Sequence, residues 1–221
     1  MKKLVTNNRR LSEIVKEQLT DWIMDGTLKV GQKISEDELA ERLGVSRMPV
    51  REALRLMESM GLVESTPFVG SVIRKFSPEE IAEIYMLRGL LEPTACYHAA
   101  QKITLDRIYE LEMIQKTMDG LEQMPGDFKK GKRLYQLNRD FHFKIYDAAE
   151  LPKLLSIIEN LWENTAYIRI KSAADPGYLD QQRKEHYLYL KFLREQDSDS
   201  FQAVFNENLT KHMNKLFQEE C

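Results

Sequence analysis

Residues 26–64 read GTLKVGQKISEDELAERLGVSRMPVREALRLMESMGLVE, and their punctuation decides the fold of the first third of the chain. Ser35 followed three residues later by Glu38 is a capping box, which predicts a helix over 36–43. Gly44 ends that helix. Ser46 then caps another, with Pro49 in its first turn, where a missing N–H is tolerated. Val50, Ala53, Leu54 and Met57 give this second helix an apolar face, and Gly61 stops it. Two short helices joined by Gly44-Val45 have the proportions of a helix-turn-helix.

Outward from this core the pattern continues on both sides. Upstream, Leu11, Ile14, Val15, Leu19, Trp22 and Ile23 recur at three- and four-residue spacing and predict a helix over 9–25. Downstream, LVES and SVIRKF are short β-prone runs joined by TPFVG, a hairpin wing with its turn near Pro67 and Gly70. Ser77, Pro78, Glu79 and Glu80 then combine a cap, a first-turn proline and acids at the positive end of the helix dipole. A second domain, 77–221, is expected to begin there, after a first domain of 1–76. Helical periodicity runs over roughly 78–99, 104–123, 127–148, 151–173, 177–195 and 198–218, broken by turn chemistry such as Met124-Pro125-Gly126 and Asp175-Pro176-Gly177. The expected fold is mainly α: a winged helix-turn-helix with a small β-hairpin, then an all-α bundle of six or seven helices.

Composition narrows the function classes. With 221 residues, 43% hydrophobic and 30% charged, the chain is in the globular range. No stretch approaches the ~18 apolar residues of a membrane helix, so no membrane partner is expected. The N-terminus lacks a signal-peptide core, which predicts a cytoplasmic protein, and Cys96 and Cys221 then read as reduced thiols. Net charge is −3 overall, but residues 1–76 carry 13 basic against 11 acidic side chains while 77–221 carry 19 against 24. A phosphate-binding surface therefore belongs in the first third. Arg47 and Arg51 stand one turn apart at the start of the second helix of the pair, where each can fork onto a guanine edge or a phosphate.

The stretch 9–76 resembles the winged helix-turn-helix of the GntR family of bacterial regulators. Gly26, Gly31, Leu39, Ala40, Leu43, Val45, Ser46, Arg47, Pro49, Val50, Arg51, Glu52, Ala53, Leu54, Gly61, Leu62 and Gly70 carry the likeness. The resemblance implies a sequence-specific DNA-binding transcriptional regulator, with repression as its expected mode. Arg47 and Arg51, with Ser46 and Pro49 beside them, would meet operator DNA, and the wing around Gly70 would reach the neighbouring minor groove. Ser35 could approach a phosphate. Position 37, which sometimes carries a DNA-contacting arginine in the family, is Asp37 here, and that role is not transferred.

Residues 78–219 resemble the effector domain of the FadR subfamily through Arg88 and Glu92, the run Asn138-Arg139-Asp140-Phe141-His142, Glu185-His186 and Asp197. Asn138 and His142 share a helix face; with His186 from another helix, two imidazoles and an oxygen could hold a divalent metal with open positions for a carboxylate effector. The subfamily pattern implies a final histidine 22 residues after His186, but that position is Asn208, and His212 lies one turn (about 6 Å) beyond. The set is thus Asn138, His142 and His186 with Asn208 or His212, holding zinc, nickel or manganese, or else a polar pocket that takes an organic ligand directly. Arg88 either pairs with Glu92 or grips an effector carboxylate. A homodimer reading a near-palindromic operator, and switched by a small carboxylate metabolite, is the expected assembly. The competing class is a metal-dependent hydrolase in the helical bundle, which would need Asp140 or Glu185 turned inward as a base.

Overall fold

The structure is a computed structural model that describes residues 10–66, 70–122, 128–172 and 176–219. The chain divides into two compact units, Met1–Phe76 and Ser77–Cys221.

In the first unit, α1 (Leu11–Met24), β1 (Lys33–Ile34), α2 (Glu36–Leu43), α3 (Arg47–Ser59), β2 (Val63–Thr66) and β3 (Gly70–Ile73) follow in order. β3 is the central strand of an antiparallel sheet, with β1 on one side and β2 on the other. β1 has only two residues, too few to show an alternating pattern, so sequence reading passed over it. Val15, Leu19, Leu39, Val50, Leu54, Met57, Val63 and Ile73 close one core between the three helices and the sheet. Gly44 holds φ at +66° and turns the chain between α2 and α3, a left-handed conformation that costs a side chain about 1–2 kcal/mol. The wing hairpin is present in its strands, while the expected turn at Pro67 lies outside the described residues.

Two caps differ from expectation. Ser46 occupies the N-cap of α3 with extended backbone, but its hydroxyl makes no capping hydrogen bond. Pro49 contributes: it stands three residues on and removes one of the two N–H groups that such a hydroxyl could bind. At α2 the hydroxyl of Ser35 accepts from Glu38 N–H at 3.4 Å, the serine half of a capping box only. The complete box forms at Ser77, whose hydroxyl accepts from Glu80 N–H at 3.2 Å while its own N–H donates to Glu80 at 2.8 Å.

The second unit contains α4 (Pro78–Lys102), α5 (Leu105–Glu122), α6 (Phe128–Ala148), α7 (Pro152–Ser172), α8 (Pro176–Glu195) and α9 (Ser198–Glu219). These follow the six periodic segments within a few residues. α4 packs against α6, α7, α8 and α9, while α5 packs against α6 and α8. Its interior is unusually polar for a helical bundle: Arg88, Glu92, Gln115, Asn138, His142, Thr165, Gln182, Glu185, His186 and Asn208 are all buried. Burying polar groups is costly unless they find hydrogen-bond partners, so this concentration marks the site.

Candidate DNA interface and effector site

The solvent face of α3 presents Arg47, Met48, Arg51 and Arg55, all exposed, while Pro49 is buried on the opposite face with Val50. Pro49 thus shapes the start of the helix rather than its outer surface. Both arginines are held by the first turn of α2. Arg47 Nε pairs with Asp37. Arg51 Nε donates to both oxygens of Glu36 at 3.1 Å, and its Nη2 donates to Glu36 Oε2 at 2.8 Å. The hydrogen bond from Arg51, with the nearby charges of Arg51, Arg47 and Arg55, holds the Glu36 carboxyl below the usual carboxylate range. Ser35 is half-buried beside these acids; Gly70 is exposed at the start of β3 with φ +104°, where a Cβ would press Lys33 at 3.3 Å.

In the helical unit the site draws side chains from all six helices. His142 on α6 and His186 on α8 bring their Nε2 atoms to 3.3 Å. Their protonation is dictated by partners. Gln115 donates its Nε2 to Asp119 at 2.7 Å, which turns its Oε1 toward His186 Nδ1 at 2.6 Å and requires a proton on that nitrogen. Tyr146 donates its hydroxyl to Glu92 at 2.7 Å, so toward His142 Nδ1, 3.2 Å away, it can only accept. Both Nδ1 atoms thus face oxygen acceptors, and the Nε2 atoms of the two rings face each other. Phe141 stacks on His186 with ring centroids 4.0 Å apart and fixes its plane.

Glu92 anchors the opposite side. It is fully buried and accepts from Arg88 Nε at 2.5 Å, Trp162 Nε1 at 2.9 Å and Tyr146. Burial opposes the Arg88 charge, but Glu92 outweighs it and pushes the guanidinium further above its ordinary value. The same burial, reinforced by Glu92, pushes the Tyr146 hydroxyl and the Cys96 thiol well up. Arg88 also lies under the rings of Tyr85 and Trp162, at 4.8 and 4.9 Å, and its Nη1 is buried with no hydrogen-bond partner.

Arg88, Glu92, His142, Gln182, Glu185, Tyr189, Phe205 and His212 line one pocket, with about 30 Å³ of interior space. That is room for about two water-sized groups. Of the residues singled out from sequence, Arg88, Glu92, His142, Glu185 and His212 line this pocket, and His186 stands behind His142. Asn138 is buried one turn before His142, and its Oδ1 has no hydrogen-bond partner. Asn208 is buried and donates to the Tyr189 hydroxyl at 3.0 Å. His212 pairs through Nε2 with the buried Glu185 at 2.8 Å, so it reaches the pocket but faces a carboxylate there. Asp140 is exposed. Arg88 makes the ion pair with Glu92 that the spacing suggested and still lines the pocket. Among the described residues no group of three or more His, Cys, Asp or Glu side chains is arranged to hold a metal.

Sequence reasoning missed Gln115, Tyr146 and Glu36, and the contact that Asp37 makes. Two of these carried a signal. Tyr146 continues the row Asn138, His142 at four-residue spacing, and Gln115 interrupts the buried row Ile108, Leu111, Met118 with a polar side chain.

A winged helix-turn-helix followed by an all-helical unit with a polar pocket is the architecture of a ligand-responsive DNA-binding regulator. Comparison with known proteins agrees. Residues 11–73 match the family described as bacterial regulatory proteins, gntR family, and residues 83–212 match the FCD domain. The chain belongs to the GntR family of bacterial transcriptional regulators, in the branch that carries an effector-binding FCD domain. It is 27% identical over 208 residues to the HTH-type transcriptional regulator McbR of Escherichia coli (strain K12), covering 93% of this chain and 92% of that one. Against the HTH-type transcriptional repressor RspR of the same organism it is 26% identical over 180 residues, 81% of this chain and 77% of the other. The structure of E. coli McbR/YncC superposes with a TM-score of 0.80 at 25% identity, covering 96% of this chain and all of that one. These relatives are transcriptional regulators, and the hydrolase alternative finds no support among them.

Proposed function

We propose that the chain is a homodimeric repressor whose α3 helices read the half-sites of a near-palindromic operator, and whose helical unit binds a small carboxylate, with a divalent cation held between His142 and His186. The approach of two Nε2 atoms to 3.3 Å, each ring with its Nδ1 held by an oxygen, carries this reading. Two unprotonated nitrogens at that distance repel, and a cation between them turns the repulsion into attraction. Ligands bound at about 2.0–2.1 Å around a tetrahedral ion stand about 3.3 Å apart, so the separation suits shared coordination. Each histidine also has its outer nitrogen held by an oxygen, the arrangement that orients metal-binding imidazoles. The unpartnered Asn138 Oδ1 supplies an oxygen donor on the same helix as His142. His212 is engaged by Glu185 and Asn208 directs its Nδ2 to Tyr189, so His142, His186 and Asn138 form a small set of neutral ligands with open positions.

A bound ion would supply a positive centre for an anionic effector group. The chain's own residues do the rest. Arg88 offers its buried Nη1 to a carboxylate, while Glu92, Trp162 and Tyr85 hold the guanidinium in place. Effector binding must differ in affinity between DNA-competent and DNA-incompetent states, and the coupling is reciprocal.

Elemental analysis of the purified protein, repeated on His142→Ala and His186→Ala, tests the reading. Near-stoichiometric zinc, nickel or manganese in the wild type, absent from both variants, is the expected result. A wild type that stays metal-free after incubation with all three ions would overturn the cation and leave direct polar binding of the ligand.

A further inference from the structure

We infer that Glu36 and Asp37 are positioning residues for base reading: they hold Arg51 and Arg47 so that the outer edge of each guanidinium is presented to guanine. This inference rests on the reading of α3 as the recognition helix.

A guanidinium has a side edge, made by Nε and one Nη, and an end edge, made by the two Nη groups. Glu36 takes the side edge of Arg51 through Nε and Nη2, and Asp37 takes Arg47 at Nε. The end edges, each with two parallel N–H bonds, are not used by these contacts. That edge matches the O6 and N7 acceptors of guanine in the major groove. An arginine left to itself samples many rotamers and settles readily on any phosphate, which carries no sequence information. One gripped from behind by a carboxylate has already lost that freedom, and the acid's charge repels the backbone phosphates that would otherwise compete. The four carboxylate contacts therefore shift both arginines from generic anion binding toward base recognition. Both pairs are exposed, Arg47 at 67% and Arg51 at 56%, so the folded state gains little from them. Their geometry, rather than their strength, is what DNA reading would use.

The experiment starts from a duplex selected by the wild-type protein from a random-sequence library. Fluorescence anisotropy then measures affinity for that duplex, for single-base variants at each guanine, and for an unrelated duplex. Wild type should discriminate against a guanine change by on the order of 10- to 100-fold at the positions that arginines read. Glu36→Gln and Asp37→Asn should reduce this to roughly threefold or less at one position each, with binding to the unrelated duplex equal or tighter. Arg51→Lys is the second line of test, independent of α2: its ammonium still pairs with Glu36 but has no second edge, so discrimination should fall while generic binding survives. Retained discrimination in Glu36→Gln, or in Arg51→Lys, overturns the inference. So does an equal loss of selected and unrelated binding in the acid variants, which would make the acids merely structural. Arg51→Ala separates the two levels: if it binds the selected duplex as wild type does, the recognition-helix reading itself has failed.

Discussion

Replacing Glu92 by Gln tests how the helical unit is held together. Glu92 is 0% exposed and receives donors from Arg88, Tyr146 and Trp162, which lie on α4, α6 and α7. The substitution keeps the shape, removes the charge and turns one acceptor into a donor that faces other donors. Arg88, itself 2% exposed, would keep a buried charge with no counter-ion. Breaking a buried ion pair from one side costs about 3–5 kcal/mol. For a chain of this size each kcal/mol lowers the melting temperature by about 2–4 °C, so a fall of roughly 6–20 °C is expected. Thermal unfolding followed by far-ultraviolet ellipticity measures it. The control is Arg88→Met combined with Glu92→Leu, which removes both charges and should cost less than Glu92→Gln alone, because no uncompensated charge remains. A Glu92→Gln variant within about 1 kcal/mol of wild type, or a double variant at the sum of its singles, would refute the reasoning.

Three further outcomes are expected. Burial, with Glu92 for Tyr146 and Glu185 for Tyr189, raises both hydroxyls well above their ordinary value. The folded state thus binds these protons more tightly than the unfolded chain. Stability should be full below about pH 10, fall as pH rises through and beyond it, and fall less steeply in Tyr189→Phe, as urea titrations across that range would reveal. Cys96 is fully buried with its thiol pushed up, so in a Cys221→Ser background a thiol reagent should label it only at the rate of unfolding; rapid labelling of native protein would contradict the burial. Leu19→Ala, at a 0% exposed position of the first core, should destabilise that unit by about 3–5 kcal/mol in urea, and a loss under 1 kcal/mol would mean that the core described around it is wrong.

The helices were legible because their ends are chemical. Ser77 with Pro78 and Glu80, Gly44 and the Pro176-Gly177 break each mark a boundary by a local requirement that a single sequence displays. β1 was not, since Lys33 and Ile34 become a strand only by pairing with β3, a partner almost forty residues away. The candidate site divides along the same line. His142, His186 and the Arg88–Glu92 pair stand out by residue type and spacing, whereas the roles of Gln115 and Tyr146 depend on which partner sits across the bundle. Asp37 was visible as a departure from the family's arginine, yet its contact with Arg47 crosses from one helix to the next and no spacing rule announces it.

The hydrogen bonds around the two histidines also have a direction. From Asp119 through Gln115 to His186, and from Glu92 through Tyr146 to His142, each link fixes the orientation of the following one. The two runs end with the same polarity, so two neutral rings would meet with no proton between neighbours that ordinarily share one. Ice tolerates such orientational faults only as migrating defects, healed by rotating every molecule along a row. Here the rows are pinned at both outer ends by carboxylates, which cannot reverse. The orientation at the meeting point is thus a property of two whole chains of side chains, and removing a middle member such as the Tyr146 hydroxyl would free His142 to turn a proton toward His186.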